Sequence, residues 1–344
     1  MVAAVMAEPH IQVYTSARLV ELGGYTGQYR SALRLADGSR LEVEHGALVV
    51  ATGGKGITPS GYMYGEHHHV LTQSELEAFL SVSRTAKEAG IDRPTRPLPM
   101  SPDAAFVMIQ CVGSRDKEHP YCSRVCCTQA LKNALALKRE LPEARVIVLY
   151  RDLRSYGFRE ILYRQARQAG VVFLEYSEDQ KPQVSSPEDS HLEVLVKIQP
   201  EGETVKLRAD WVILSTGIEP EPENAELARL LKVPLNETGF FLEAHVKLRP
   251  VDFAAEGIFL AGLAHSPRTI EETIAQAQAA SVRAVALLSR PQLEATPIVA
   301  SVNPKLCAAC GLCVQVCPYG ARILEPGMDH AEVIEVLCQG CGAC

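Results

Sequence analysis

A chain of 344 residues has room for two or three domains of ~100–200 residues each, and a 47% share of hydrophobic residues is enough to build their cores. Its 34 Lys and Arg are interspersed with 41 Asp and Glu for a net charge of −7, which argues against a nucleic-acid-binding surface. No apolar run approaches the ~18 residues of a membrane span, and the opening MVAAVMAEPH lacks the basic segment of a secretory signal. The eleven cysteines fall into two groups, at 111–127 and 307–344. That distribution suits metal centres in a reducing compartment better than scattered disulfides, so a cytoplasmic location is expected.

In chain order, residues 9–14 (PHIQVY) read as a strand. Residues 18–22, 29–35 and 40–44 alternate as short antiparallel strands, broken by Gly23-Gly24, Gly27 and Asp37-Gly38. GALVVATGG, residues 46–54, reads as a buried strand ending in Ala51, Thr52 and Gly53. This ending is similar to the way flavoproteins of the thioredoxin-reductase and glutathione-reductase type close their first dinucleotide-binding sheet beside the cofactor. A plain strand end is an equally good reading. The G-x-G-x-x-G turn that opens such a domain and receives the FAD pyrophosphate is not in the sequence. The expectation is therefore a chain truncated by ~100 or more residues, preferred over a domain divided between two chains. The histidines of SGYMYGEHHH, residues 60–69, lack an accompanying cysteine or carboxylate repeat and are expected in a solvated loop. Residues 74–89 form an amphipathic helix with Ser74 as N-cap, and a Pro-rich stretch at 94–102 marks a domain boundary.

After Pro102 comes AFVMIQCVGSRDKEHPYCSRVCCTQALKNALALKREL, then ARVIVLY: a strand, a loop, a helix over about 128–140 and a second strand. In such a βαβ unit the loop is where a Rossmann fold grips a pyrophosphate. Here Gly113 stands alone, and Cys111, Cys122, Cys126 and Cys127 occupy the place. Four thiolates beside a helix N-terminus suit an anionic iron–sulfur cluster in exchange for the dinucleotide. A vicinal Cys126–Cys127 disulfide or a zinc site are the alternatives. Residues 156–170 read as a helix with a Gly170 C-cap, followed by the strand VVFLEY. A meander over 191–199 and 205–217 repeats the Thr-Gly strand ending, with Trp211 in the core. Residues 223–231 form a short helix over the sheet.

From Gly239 the chain is expected to return to the first domain. GIFLAGLAHSPRTIEETIAQAQAAS, residues 257–281, corresponds in that flavoprotein superfamily to the strand, G-D turn and helix holding the FAD ribityl chain and pyrophosphate. Leu263 stands in the place of the acid, which leaves Gly262, backbone amides and the helix start near Thr269 to address flavin oxygens. Packing alone is the alternative for this helix. A linker at 290–304 leads to CAACGLCVQVCP and then CQGCGAC, a C-x2-C-x2-C-x3-C-P run followed by a second triplet. That is two-cluster ferredoxin spacing, in which the fourth cysteine of each run crosses to the other cluster. Cys317 would join Cys338, Cys341 and Cys344, while Cys307, Cys310 and Cys313 hold a second cluster whose fourth ligand would follow Cys344. Zinc or a disulfide staple is the alternative, but zinc sites favour two separated pairs over triplets.

CVGSR with YCSRVCC, then LYRD and YGFREILY, resembles the A-type subunit of heterodisulfide reductase, a flavin- and iron–sulfur-containing family of methanogens and many anaerobic bacteria. The resemblance runs through the whole chain, ATGG and ferredoxin tail included. It implies an α/β fold: a thioredoxin-reductase-like two-domain flavoprotein core with Rossmann-type sheets, plus a C-terminal two-cluster ferredoxin-like (α+β) module. The implied segments are a partial FAD-binding domain over 1–100, a Rossmann-like domain with the cysteine loop over 101–236, a return to the FAD domain over 237–290 and an incomplete ferredoxin-like domain over 291–344. It further implies two to three 4Fe-4S clusters, one of them on Cys111, Cys122, Cys126 and Cys127, together with FAD. The implied function is electron relay in a complex with other heterodisulfide-reductase-like subunits and a ferredoxin or hydrogenase/dehydrogenase-type donor, with electron bifurcation at the flavin. Two alternatives remain open: an NAD(P)H-dependent flavin oxidoreductase with a ferredoxin tail, and a non-catalytic remnant.

Overall fold

A computed structural model describes residues 2–88, 101–187, 191–292, 298–338 and 340–344. Most of the Pro-rich stretch at 94–102, the last residue of the expected helix at 74–89 and the middle of the 290–304 linker lie outside them. The chain divides into two compact units. One comprises Met1–Thr52, Pro222–His265 and Thr273–Cys344; the other comprises Gly53–Glu221 and Ser266–Glu272.

The second unit is built on a parallel sheet, in the order Val70–Thr72, Trp211–Thr216, Ala105–Val112, Arg145–Tyr150, Val172–Glu175. Every residue of Ala105–Val112 is buried, as a parallel strand covered on both faces requires. On one face, helix Cys126–Glu140 lays Ala130, Leu131, Ala134 and Leu137, spaced by helical turns, against Phe106, Met108, Val146 and Val148. On the other, Val107, Ile109 and Leu149 meet Leu192, Val194 and Val196 of an antiparallel meander. The expected continuous strand over 205–217 breaks at Asp210. Strand Thr204–Ala209 stays in the meander, while Trp211–Thr216 enters the parallel sheet. The Asp210 carboxylate accepts the Ala105 N–H at 2.7 Å and so holds the crossing point.

Trp211 is a core residue, 2% exposed, and His69 stacks on it with ring centroids 4.0 Å apart. His67 is buried too, while His68 is exposed, so the expected solvated loop is packed at two of its three histidines. Helix Gln73–Glu88 is capped at Thr72 and not at the expected Ser74. The Glu75 carboxylate accepts the Thr72 N–H at 2.7 Å and the Thr72 hydroxyl accepts the Glu75 N–H at 3.2 Å, a capping box that leaves Ser74 inside the first turn. The helix expected over 156–170 is a 3-10 turn, Gly157–Arg159, leading into Glu160–Gln168. It ends at left-handed Gly170, with the Val171 N–H bonded to Ala166 O and the Gly170 N–H to Arg167 O.

In the first unit, Arg18–Tyr25, Gln28–Arg34 and Arg40–His45 form the antiparallel sheet their alternation predicts. Residues 9–14 are not a strand. They are exposed and without a partner strand, and follow a short helix, Val2–Ala7, that the sequence pattern does not announce. Leu48–Val50 pairs in parallel with Ile258–Leu260. It is shorter and less buried than expected, since Val49 is exposed and only Val50 is buried. Val50, Ile258 and Leu260 pack with Phe241, Phe253 and with Leu231 of helix Asn224–Leu231. Helix Ile270–Leu288 lays Ala280 on Val251, Phe259 and Ala261. The tail has a five-residue helix, Leu312–Val316, and two-residue strands Arg322–Ile323 and Glu332–Val333. Among the described residues no helix is long and apolar enough to cross a membrane.

Candidate functional site

Strand Ala105–Val112 runs directly into the cysteine loop. There Cys111, Arg115 and Arg124 take positive φ values of 60°, 60° and 62°, a conformation that costs a side-chain-bearing residue ~1–2 kcal/mol. Such geometry persists only where surrounding contacts impose it, and here they are identifiable. The Gly217 N–H donates to Val112 O at 2.9 Å, the Ile218 N–H to the Ser123 hydroxyl at 2.8 Å, and the Tyr121 hydroxyl to Ile218 O at 2.9 Å. A Cβ at Gly217 would stand 2.6 Å from Gly113 O, so only glycine allows the loop this close. The Thr-Gly ending at 216–217 is thus the seat of the cysteine loop.

The four thiols converge. Cys111, Cys126 and Cys127 are buried and Cys122 is half-buried, and Cys126 feels the charges of Cys127, Cys111 and Cys122. Cys126 and Cys127 form the first turn of a helix whose N-cap, Val125, offers no side-chain acceptor. That turn therefore presents its free amides and positive dipole end to whatever the thiols hold. A hydrogen bond between the two neighbours holds Cys127 down to about 7 and, with burial, pushes Cys126 well up. Burial and the Cys127 charge push Cys111 up to about 11, against the opposing pull of Arg115 and Arg151.

Donors and cations surround the sulfurs. The Arg124 N–H donates to Cys122 Sγ at 3.3 Å, and Arg115 Nη1 lies 4.0 Å from Cys111 Sγ. The Arg154 charge favours the Cys127 thiolate and is itself favoured by Cys122. Asp152 pairs with both Arg115 and Arg154, the latter at 3.0 Å, and fixes the two guanidinium groups. The side-chain amide of Gln110, fully buried next to Cys111, has no hydrogen-bond partner among the described residues. Four thiols, an amide aimed at sulfur, an uncapped helix start and fixed cations are the donor set an anionic iron–sulfur cluster needs. All eleven cysteines are free thiols, so no Cys126–Cys127 disulfide is formed. Among the described residues no three His, Cys, Asp or Glu side chains close on a single ion. A four-iron cube spreads its thiolates wider than one zinc, whose sulfurs sit ~2.3 Å from the metal.

In the tail, Cys317, Cys338, Cys341 and Cys344 line one cavity together with Arg322. Cys307 and Cys310 lie on a loop that turns at Ala309 and Gly311, with φ values of 50° and 74°, and Cys313 follows in the first turn of helix Leu312–Val316. Backbone amides point at these sulfurs: Ala309 to Cys307 at 3.4 Å, Ala321 to Cys317 at 3.3 Å and Ala300 to Cys338 at 3.3 Å. Amide bonds from Ala331 and Ala309 hold the Cys307 thiol below its usual range, and bonds from Ala300 and Gly340 do so for Cys338.

The residues assigned to a flavin are divided between the units: Ala51, Thr52, Gly262 and Leu263 in the first, Gly53 and Thr269 in the second. Ala51 and Thr52 are exposed, and open space lies where Gly53 would carry a Cβ. The Gly262 N–H is taken at 2.7 Å by Gln276 Oε1, and Gln276 Nε2 in turn lies 2.7 Å from His265 Nδ1. The Thr269 N–H and hydroxyl both donate to Glu272, at 2.9 and 3.1 Å, in a second capping box. With these donors engaged, neither Gly262 nor Thr269 keeps its amide N–H for a flavin oxygen.

Sequence reasoning missed Arg115, Asp152, Arg154, Gly217 and Arg322. The Arg-Asp pairs of CVGSRD and LYRD and the second Thr-Gly were visible, but their meeting depends on the sheet order.

The family described as Fer4, a 4Fe-4S binding domain, matches residues 300–323. An A-type iron-sulfur subunit of CoB-CoM heterodisulfide reductase from Methanopyrus kandleri is 36% identical over 288 residues, which cover 82% of this chain and 43% of that protein. The A-type subunit of the H(2):CoB-CoM heterodisulfide,ferredoxin reductase of Methanothermobacter thermautotrophicus is 35% identical over 305 residues, covering 85% and 44%. Among solved structures, thioredoxin reductase of Lactococcus lactis is similar at a TM-score of 0.48 and 16% identity, over 79% of this chain and 74% of its own. The bacillithiol disulfide reductase Bdr of Bacillus cereus is similar at a TM-score of 0.45 and 18% identity, over 81% and 73%. The chain spans less than half the length of the curated relatives it matches, 43% and 44% for the two named. With identity at this level over more than 80% of its own residues, the chain belongs to the family of A-type heterodisulfide reductase subunits.

Proposed function

We propose that this chain is the electron-relay part of a heterodisulfide-reductase-like oxidoreductase, holding one iron–sulfur cluster on Cys111, Cys122, Cys126 and Cys127 and further clusters on the tail cysteines. The observation that carries the reading is the gathering of four thiols, with Arg115 and Arg154 fixed by Asp152, at the nucleotide-gripping turn of a parallel sheet. An iron–sulfur cluster supplies reversible one-electron uptake, with a potential set by net charge, hydrogen bonds to sulfur and solvent exposure. Each of those settings belongs to this chain's own residues. The thiolates bring negative charge into a buried place, and the two guanidinium groups offset it. The Arg124 amide donates to the Cys122 sulfur, and the uncapped start of helix Cys126–Glu140 puts a positive dipole end beside the thiols. Packing of the loop on Gly217 and Ile218 keeps water away.

FAD belongs to the reading through the motif resemblance, with Ala51, Thr52, Gly53 and Leu263 as the residues left to touch it. Splitting of an electron pair at the flavin, docking to other subunits of such a complex, exchange with a ferredoxin or a hydrogenase/dehydrogenase-type donor, and a cytoplasmic location are parts of the same reading. One relative is named as a subunit of a Ferredoxin:CoB-CoM heterodisulfide reductase and another as a subunit of an H(2):CoB-CoM heterodisulfide,ferredoxin reductase, which supports these two donor classes. Purification without oxygen, with iron, acid-labile sulfide, zinc and flavin measured per chain, tests it. At least two clusters' worth of iron and matching sulfide are expected, with weak flavin retention and no oxidation of NADH or NADPH on adding FAD. Stoichiometric zinc without sulfide contradicts the relay.

A further inference from the structure

The tail buries only Ala321, Arg322 and Ala331 among its described residues, and one of the three is an arginine. Arg322 is 7% exposed, and its backbone is fixed by pairing with Val333. Its Nη2 donates to Cys344 Sγ at 2.9 Å, while Nη1 is buried with no hydrogen-bond partner among the described residues. The side chain lines the cavity shared by Cys317, Cys338, Cys341 and Cys344. A buried guanidinium with a donor left over is unfavourable unless an anion takes it up. Cys307 of the other triplet sees a different field. Cys307 receives only neutral backbone amides, from Ala331 and Ala309, and the nearby Asp329 adds negative charge.

We propose that Arg322 raises the reduction potential of the cluster held by Cys317, Cys338, Cys341 and Cys344 above that of the cluster held by Cys307, Cys310 and Cys313. The inference rests on the cluster reading of the tail given above. Reduction adds one negative charge to an already anionic group, so a fixed cation bonded to its sulfur stabilises the reduced form more than the oxidised form. A single electron entering the tail from any reductant then settles on the set beside Arg322. Arg322 also feels the charge of Cys313 of the other set, less than that of the directly bonded Cys344 and ahead of that of Cys338, so the hydrogen bond to Cys344 is what distinguishes the two sets. The bond to Cys344 thus favours transfer from the first triplet to the second.

The test is a dithionite titration of the full chain, reconstituted without oxygen and followed by electron paramagnetic resonance, on the parent, Arg322→Lys, Arg322→Gln and Arg322→Met. Iron and sulfide are counted on each, and the Cys338→Ala variant identifies the signal. The parent should show two tail midpoints. In Arg322→Met and Arg322→Gln the higher one should fall toward the lower at unchanged iron, and Arg322→Lys should retain most of the separation. If Arg322→Met fails to hold iron, the Gln and Lys variants decide. Full iron with unmoved midpoints in the uncharged variants overturns the assignment to Arg322 alone, whereas a parent chain without iron and sulfide overturns the cluster reading and this inference with it.

Discussion

The cysteines at 111–127 and those at 307–344 offer the same ligand chemistry on opposite kinds of scaffold. The first set grows from a wholly buried strand and the first turn of a 15-residue helix, and three of its four thiols are buried. The second hangs on a five-residue helix and two-residue strands, with Cys310, Cys341 and Cys344 exposed. Charge compensation differs in the same way. Around the first set it comes from arginines on separate segments tied by Asp152, around the second from local backbone amides and one arginine. The lesson is one of order: at 111–127 the fold makes the site, whereas in the tail the bound group must supply cohesion that so small a core does not.

Removing the metal breaks this comparison most forcefully. Chelation without oxygen should abolish hydrogen-exchange protection over 298–338, while the amides of Ala105–Val112 stay protected. Equal loss in both regions would show that the first site also depends on its cluster. Core truncation should separate them next. Phe106→Ala should cost ~3–5 kcal/mol by denaturant titration, because Phe106 is fully buried against the helix. Leu312→Ala in the tail, at a residue 61% exposed, should stay within ~0.5 kcal/mol.

Gly217→Ala sharpens the contrast further. Its methyl would press on Gly113 O and cost ~1–3 kcal/mol, and iron should be lost from the first site while the tail keeps its own. Glu272→Ala tests the cysteine loop from its outer side, where Glu272 pairs with Arg124 at 2.5 Å. The change removes that partner together with the acceptor of the Thr269 N–H and should lower stability by ~1 kcal/mol, with the tail's iron unchanged.

Much of this was legible in the sequence, and the pattern of what was not is physical. Spacing within one loop or one strand is local, so the thiol sets, the parallel βαβ unit and the antiparallel strands over 18–45 could be read directly. The break at Asp210 could not, because it depends on which sheet each half of the stretch joins. Arg115 and Asp152 are 37 residues apart and meet only because adjacent strands carry both to the same end. The strand expected over 9–14 failed for want of a partner, which no local pattern guarantees. The Thr72 and Thr269 capping boxes were readable as T-x-x-E, and recognising the second would have shown that the Thr269 donors are spent within the helix.

The most direct measurement is the iron and sulfide content of Cys122→Ala and Cys126→Ala chains reconstituted without oxygen, beside the parent. The account predicts that each loses one cluster's worth of iron and an equal share of sulfide while the tail's complement remains. Variants that retain the parent's full content would contradict it, since the thiols at the nucleotide-gripping turn would then hold no cluster.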